Sequence, residues 1–369
     1  MKDKNGRREF LRNAALAAVT FPALFQGGAR AGHAMNGSST DAPTEIKAKT
    51  KRICVEEHWV LPRGKASVVP PPNISAAMSL AFARLADFEL RFPFMEESGI
   101  TMQVLQPANL GSPTDRDTVI ALAKRCNDGV TAIVGKYPGR FAGYASLPTA
   151  YPKEAANELE RAVTQLGLKR VVIPGSINGE YLDEEKFWPI WERAEGLGVP
   201  IYLHPTNPPL EARKMYEGHP GLMGPAWSWV VDTATHALRI IGAGVFDSFP
   251  KSTVILGHMG EALPYLLARF DEGYAQRFEE GYAIFKNRKL KKLISQYIRE
   301  NIIITTSGKY NPEALVCAIS AMGIDRVLFA VDYPFVTPKE AVELIERTPI
   351  SALDKEKIYH VNAERWLRL

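Results

Sequence analysis

From residue 51 onward, short apolar runs alternate with longer stretches whose apolar positions recur every three or four residues. The short runs fall at 51–58, 101–107, 141–147, 168–174, 200–204, 252–258, 301–306 and 326–332, each of strand length. Between them, Ala155, Leu159, Ala162, Val163 and Leu166 make one helical stripe. Ile190, Trp191, Ala194 and Leu197 make a second, and Ala237, Leu238, Ile240, Ile241 and Val245 a third. Gly167 follows the first stripe and Gly198-Val199-Pro200 closes the second, as helix stop signals should. Eight strands with intervening helices predict an α/β fold, a parallel (β/α)8 TIM barrel over residues 51–369. The competitor is an open doubly wound sheet, but no Gly-rich phosphate loop follows the first run. The long inserts at 60–98 and 206–227 follow runs one and five, on the rim where a barrel carries its active site, and are expected to act as lids.

Polar residues end several of these runs. Ile53-Cys54-Val55 leads into Glu56-Glu57-His58, and Ile201-Tyr202-Leu203 into His204. Val254-Ile255-Leu256-Gly257 leads into His258, and Phe329-Ala330-Val331 into Asp332. An unpaired charge costs several kcal/mol to bury, so five such residues at strand ends call for a shared partner. Glu56 and His58 stand two apart and point to one face of a strand; Glu57 points to the other, toward supporting groups or solvent. Glu56, His58, His204 and Asp332 supply two carboxylates and two imidazoles, balancing one divalent ion. Mixed nitrogen and oxygen donors favour Zn2+ or Mn2+ over Ca2+ or Cu+. His258 reads as a catalytic or water-holding histidine, with Glu261 at an expected helix start fixing its tautomer. Arg269, one helical span later, is placed to neutralise that pair or the substrate. His219 reads as a solvated loop residue, while His236 and His360 read as structural.

The chain has 369 residues, 46% hydrophobic and 23% charged, with a net charge of +4. Residues 1–34 hold six Lys/Arg and two Asp/Glu; taking these from 45 and 41 leaves 39 of each, so the body is neutral. That argues against a nucleic-acid footprint, which needs a basic face. Three scattered cysteines, Cys54, Cys126 and Cys317, make no disulfide framework. Arg7-Arg8-Glu9-Phe10-Leu11 precedes a short apolar stretch and then small residues up to Ala34. This reads as a twin-arginine export signal over 1–34, followed by a flexible linker at 35–50. The apolar stretch is too short to span a bilayer, and the expected location is periplasmic or exported.

Taken together, Val55-Glu56-Glu57-His58, Tyr202-Leu203-His204-Pro205, Thr233-Ala234-Thr235-His236-Ala237-Leu238-Arg239, Gly257-His258-Met259-Gly260-Glu261, Thr305-Thr306-Ser307-Gly308 and Asp332-Tyr333-Pro334-Phe335 resemble the amidohydrolase superfamily. The branch is that of metal-dependent aromatic acid decarboxylases acting on γ-resorcylate or 2,3-dihydroxybenzoate. The resemblance implies Glu56, His58, His204 and Asp332 as metal ligands, and His258 with Glu261 as a catalytic pair supported by Arg269. It implies non-oxidative decarboxylation of an ortho-hydroxybenzoate-type acid, a carbon–carbon lyase reaction. One divalent ion would grip the carboxylate and phenolic oxygen, and Asp332 would protonate the ring carbon, which requires a proton on Asp332. It also implies a homodimer or homotetramer. Tyr333 and Phe335 are the preferred walls for a planar ring, with Trp59, Trp227 and Trp229 behind them. Many members carry Asn-Gly after strand four, where this chain reads Ile173-Pro174-Gly175-Ser176; proline offers no side-chain hydrogen bond. The alternative on the same scaffold is a metal-dependent hydrolase of an ester, lactone or amide, with metal-bound water as nucleophile and Asp332 as base.

Overall fold

The computed structural model describes residues 50–61, 75–107, 115–279 and 289–369. The expected leader at 1–34 and the linker, apart from Thr50, lie outside these residues, as does 62–74 of the first insert. The strands are β1 (Ile53–Trp59), β2 (Met102–Pro107), β3 (Phe141–Gly143), β4 (Ala145–Ser146), β5 (Val171–Pro174), β6 (Ile201–His204), β7 (Val254–Leu256), β8 (Ile302–Thr305) and β9 (Val327–Leu328). All pair in parallel, in the order β1-β2-β3 and then β4 through β9. The third apolar run is thus broken at Tyr144 into two strands. Its Tyr144 amide bonds back to Leu105 (2.9 Å), and the next amide, of Ala145, bonds forward to Arg170 (2.9 Å).

A second seam brings the last strand back to the first. Val55 N–H donates to Phe329 (3.0 Å), Asp332 N–H to Glu56 (3.1 Å) and His58 N–H to Tyr333 (2.8 Å). The molecule is a TIM barrel, as the alternation predicts. Its lumen is filled by Ile53, Val55, Val104, Tyr144, Val172, Tyr202, Ile255, Ile303 and Leu328, with Ala363 and Leu367 from the chain's end. Residues from every barrel position meet in one cluster, which an open sheet cannot achieve.

The helices are α1 (Ala76–Ala86), α2 (Phe92–Glu97), α3 (Arg116–Lys136), α4 (Pro152–Thr164), α5 (Trp188–Leu197), α6 (Ser228–Gly242), α7 (Leu267–Glu279), α8 (Ile294–Asn301), α9 (Pro312–Met322), α10 (Pro338–Arg347) and α11 (Asn362–Leu367), with shorter helical turns besides. The predicted stripes fall on α4, α5 and α6, except that Leu166 and Val245 lie just past the ends of the first and third. Gly198 ends α5 in the left-handed conformation (φ 62°), which costs glycine nothing. Thr337 and Glu340 cap α10 reciprocally. The insert at 206–227 forms three short 3-10 turns, Leu210–Tyr216, Pro220–Leu222 and Gly224–Ala226. Among the described residues no helix is long and apolar enough to cross a membrane.

Candidate metal centre

Strand alternation alone does not aim Glu56 and His58 correctly. Ile53 and Val55 face the lumen, while Cys54 and Trp59 pack in the layer between barrel and helices. Strict period-two alternation from Val55 would send Glu57 inward and Glu56 and His58 outward. The β1–β2 register shifts between Cys54 and Glu57, and this bulge resets the parity. Glu56 then reaches the lumen, where Tyr202 Oη donates to its Oε2 and Thr305 Oγ1 lies 3.3 Å away.

Above the apolar lumen the side chains become polar one strand step later, from Tyr202 to His204 on β6 and from Ile303 to Thr305 on β8. Glu56, His58 and His204 bring ligand atoms within 4.8 Å of one another. His204 Nε2 lies 3.3 Å from Glu56 Oε1, His258 Nε2 3.7 Å from the same oxygen, and His58 Nε2 3.0 Å from Asp332 Oδ1. The His58 and His204 rings meet edge-on at 4.9 Å. Burial opposes ionisation of Glu56, yet His258, His204 and His58 together hold its carboxyl well below the usual range. Burial lowers the His204 pKa, favouring the neutral ring that serves as a metal ligand. Glu56 Oε1 is fully buried and, among the described residues, accepts no hydrogen bond. A carboxylate oxygen left bare among imidazoles and a second carboxylate fits a cation better than it fits any neutral packing.

His258 arrives differently. From His258 to Ala262 every residue has positive φ: 53, 57, 78, 52 and 65°. This left-handed turn replaces the helix start expected at Glu261; α7 begins only at Leu267. Each non-glycine residue there costs about 1–2 kcal/mol. The turn brings His258 Nδ1 to 2.7 Å from Glu261 Oε1, as the sequence predicts, and Ser307 Oγ accepts from His258 N–H at 2.9 Å. Burial would lower the His258 pKa, but Glu261 and Glu56 overcome it and raise it to about 10. Gly257 permits the approach: a Cβ there would sit 3.0 Å from both Glu56 Oε2 and Tyr202 Oη.

Three expected substrate contacts fare unequally. Phe335 is 42% exposed with its ring 5.6 Å from His58, at the rim as predicted. Tyr333 is corrected: it is 1% exposed, under Arg91 (4.9 Å) and 5.9 Å from Phe94. The backbone turns at Asp332 (φ 74°), and the next side chain goes behind the site. Arg269 lies exposed on α7, while Glu261 pairs with His258. The left-handed turn ahead of α7 removes the simple helical spacing that placed Arg269 beside them. Trp59 is fully buried, and Trp229 Nε1 donates to Asn207. His236 is structural as read, its Nε2 accepting from Leu182 N–H at 2.8 Å.

Glu57 is not solvent-facing; it is fully buried and bonds Gln103 and the Val331 amide. Tyr202, Thr305 and Ser307 stand in the quoted motifs, but the sequence gives none of them a role of its own. Tyr202 and Thr305 carried a signal, since Tyr202 stands one strand repeat before His204 and Thr305 ends an apolar run. At the end of β5, Pro174 pairs with His204. A Cβ on Gly175 would collide with Thr206 Oγ1, so a threonine occupies the rim beside Pro174.

A closed parallel barrel with buried imidazoles and carboxylates at the C-terminal ends of its strands defines a metal-dependent barrel enzyme. The amidohydrolase family model matches residues 71–369, and the chain belongs to that family. It is 36% identical over 333 residues to the gamma-resorcylate decarboxylase of Polaromonas sp. (strain JS666 / ATCC BAA-500), covering 86% of this chain and 98% of that protein. It resembles the solved 2,6-dihydroxybenzoate decarboxylase complexed with 2,6-dihydroxybenzoate (34% identity, TM-score 0.78, 87% of this chain and 100% of that one). It also resembles the dihydroxybenzoic acid decarboxylase of Polaromonas sp. JS666, solved with manganese and 2-nitroresorcinol (35% identity, TM-score 0.78, 87% and 97%).

Proposed function

We propose that this protein is a metal-dependent, non-oxidative decarboxylase of a hydroxylated aromatic acid. The observation that carries the reading is the bare, buried Glu56 Oε1 facing His204 and His258, with Asp332 against His58. Relatives that match nearly end to end are decarboxylases of such acids. Glu56, His58, His204 and Asp332 would hold one divalent ion, manganese by analogy with the solved relative. Bound there, the ion would supply positive charge against the substrate's carboxylate and phenolic oxygens.

The remaining work falls to the chain. Asp332, partly open at 18% side-chain exposure, is the group placed to carry a proton to the ring carbon that bears the carboxylate. Ring protonation breaks aromaticity, and loss of CO2 restores it. His258, gripped by Glu261, presents Nε2 toward the site as a hydrogen-bond donor to an anionic substrate oxygen. Phe335 offers an apolar face beside His58. Tyr202 and Thr305 hold Glu56 Oε2, which leaves Oε1 facing His204 and His258.

The experiment is to incubate manganese- or zinc-loaded protein with a panel of ortho-hydroxybenzoates and follow CO2 release, then run carboxylation in bicarbonate. Release from at least one acid is expected. Silence across the panel with hydrolysis of an aryl ester would overturn the reading in favour of a hydrolase.

Residues 1–34 are proposed to export the folded enzyme. Their support is the Arg7-Arg8-Glu9-Phe10-Leu11 motif ahead of a short apolar stretch. Arg7→Lys with Arg8→Lys should move the protein from the periplasmic to the cytoplasmic fraction. An unchanged distribution would remove the export role.

A further inference from the structure

A second polar cluster lies on the opposite face of β1 from the metal centre. Arg91, between α1 and α2, is fully buried, and so are Gln103 on β2 and Glu57 on β1. Arg91 Nη1 donates to Gln103 Oε1 (3.2 Å), and Gln103 Nε2 donates to Glu57 Oε2 (3.0 Å). The two ends of this chain of bonds grip main chain. Arg91 Nη2 donates to the carbonyl of His58, and Glu57 Oε1 accepts from the amide of Val331 (3.2 Å). His58 and Val331 flank the seam that closes the barrel, and Val331 directly precedes Asp332.

Burying a guanidinium and a carboxylate costs several kcal/mol per ion. Were compensation the only requirement, a direct pair would serve. Instead an amide stands between the charges, and each charge spends a bond on backbone next to a site residue. We propose that Glu57, Gln103 and Arg91 form a positioning unit that sets the spacing across the seam between His58 and Asp332, and so tunes the affinity and symmetry of the metal centre. The unit rests on the reading that His58 and Asp332 are ligands. It also ties the insert that carries Arg91 to that centre, because the Arg91 guanidinium covers the ring of Tyr333 at 4.9 Å.

The test uses the full-length protein and manganese alone. Mn2+ affinity, the Mn2+ electron paramagnetic resonance line shape and the melting temperature are measured for the parent, Glu57→Met, Arg91→Met and the double variant. Outer groups that orient ligands typically change metal affinity about 10- to 100-fold, and each single variant is expected to weaken Mn2+ binding by that factor and alter the line shape. The double variant leaves no unpaired buried charge, so its melting temperature should return toward the parent's. Its Mn2+ affinity should stay at least about tenfold weak, because the grips on His58 and Val331 are gone. Affinity and line shape that match the parent in the double variant would show a purely structural role and overturn the proposal. A parent that binds no Mn2+, or whose binding survives His204→Ala, would instead overturn the ligand assignment and the proposal with it.

Discussion

At the scale of single residues, the site is a set of side chains whose chemistry depends on one or two atoms each. Asp332 touches His58 at 3.0 Å and is the proton carrier in the proposed reaction. Asp332→Asn keeps an oxygen donor for the ion but no transferable carboxylic proton. Its turnover should fall by about two to four orders of magnitude while Mn2+ remains measurable by elemental analysis; near-parent turnover would remove Asp332 from proton transfer. The pairing of His258 with Glu261 was legible because both are short-range in sequence and both are polar in an apolar context. The identity of Glu57 as a supporting residue was only half legible. Alternation put it on the far face from Glu56, but which strand would meet it there was not a local property.

At the scale of elements, the strands and helices largely follow period and punctuation, and departures occur where tertiary contacts override them. The bulge in β1 lets both Val55 and Glu56 turn inward, Val55 into the apolar lumen and Glu56 onto the hydroxyl of Tyr202 at its upper edge. The left-handed run at 258–262 is unreadable from propensity, since only one of its five residues is glycine. Helix α6 offers a test of burial. Burial and the neighbouring Arg239 lower the His236 pKa from 6.5 to about 3, so the folded protein keeps this ring neutral. Between about pH 6.5 and 3 the unfolded chain binds a proton here that the folded chain does not. The stability from the neutral ring is therefore complete above pH 6.5 and is lost as pH falls, by up to about 1.4 kcal/mol per pH unit. In His236→Gln the decline of melting temperature between pH 6.5 and 5 should be shallower than in the parent. Equal slopes would mean that His236 does not titrate differently on folding.

For the whole molecule, the proposed ligands Glu56 and His58 lie on the first strand and Asp332 just past the last, so ion binding and barrel closure should be linked. A ligand that binds only the folded state at a thousand times its Kd stabilises by about 4 kcal/mol. For a barrel of about 320 residues, with an unfolding entropy of roughly 2.1 cal/mol/K per residue, that is about 6 °C. Chelation of the loaded protein should lower its melting temperature on that order, and Mn2+ should restore it; an unchanged melting temperature would argue against a resident ion. The sequence by itself determined the order of eight strand positions, their parallel connection through helices, and which polar residues end them. Those features come from local periodicity and composition, which a linear chain carries in full. Tertiary structure alone decided the parity of Glu56 across the bulge, the burial of Tyr333 behind rather than beside the site, and the outward place of Arg269. It also decided the clamp of Arg91 and Glu57 across the seam. Each of these depends on where residues tens to hundreds of positions apart come to rest, and that is set by packing of the closed barrel, not by the neighbours in sequence.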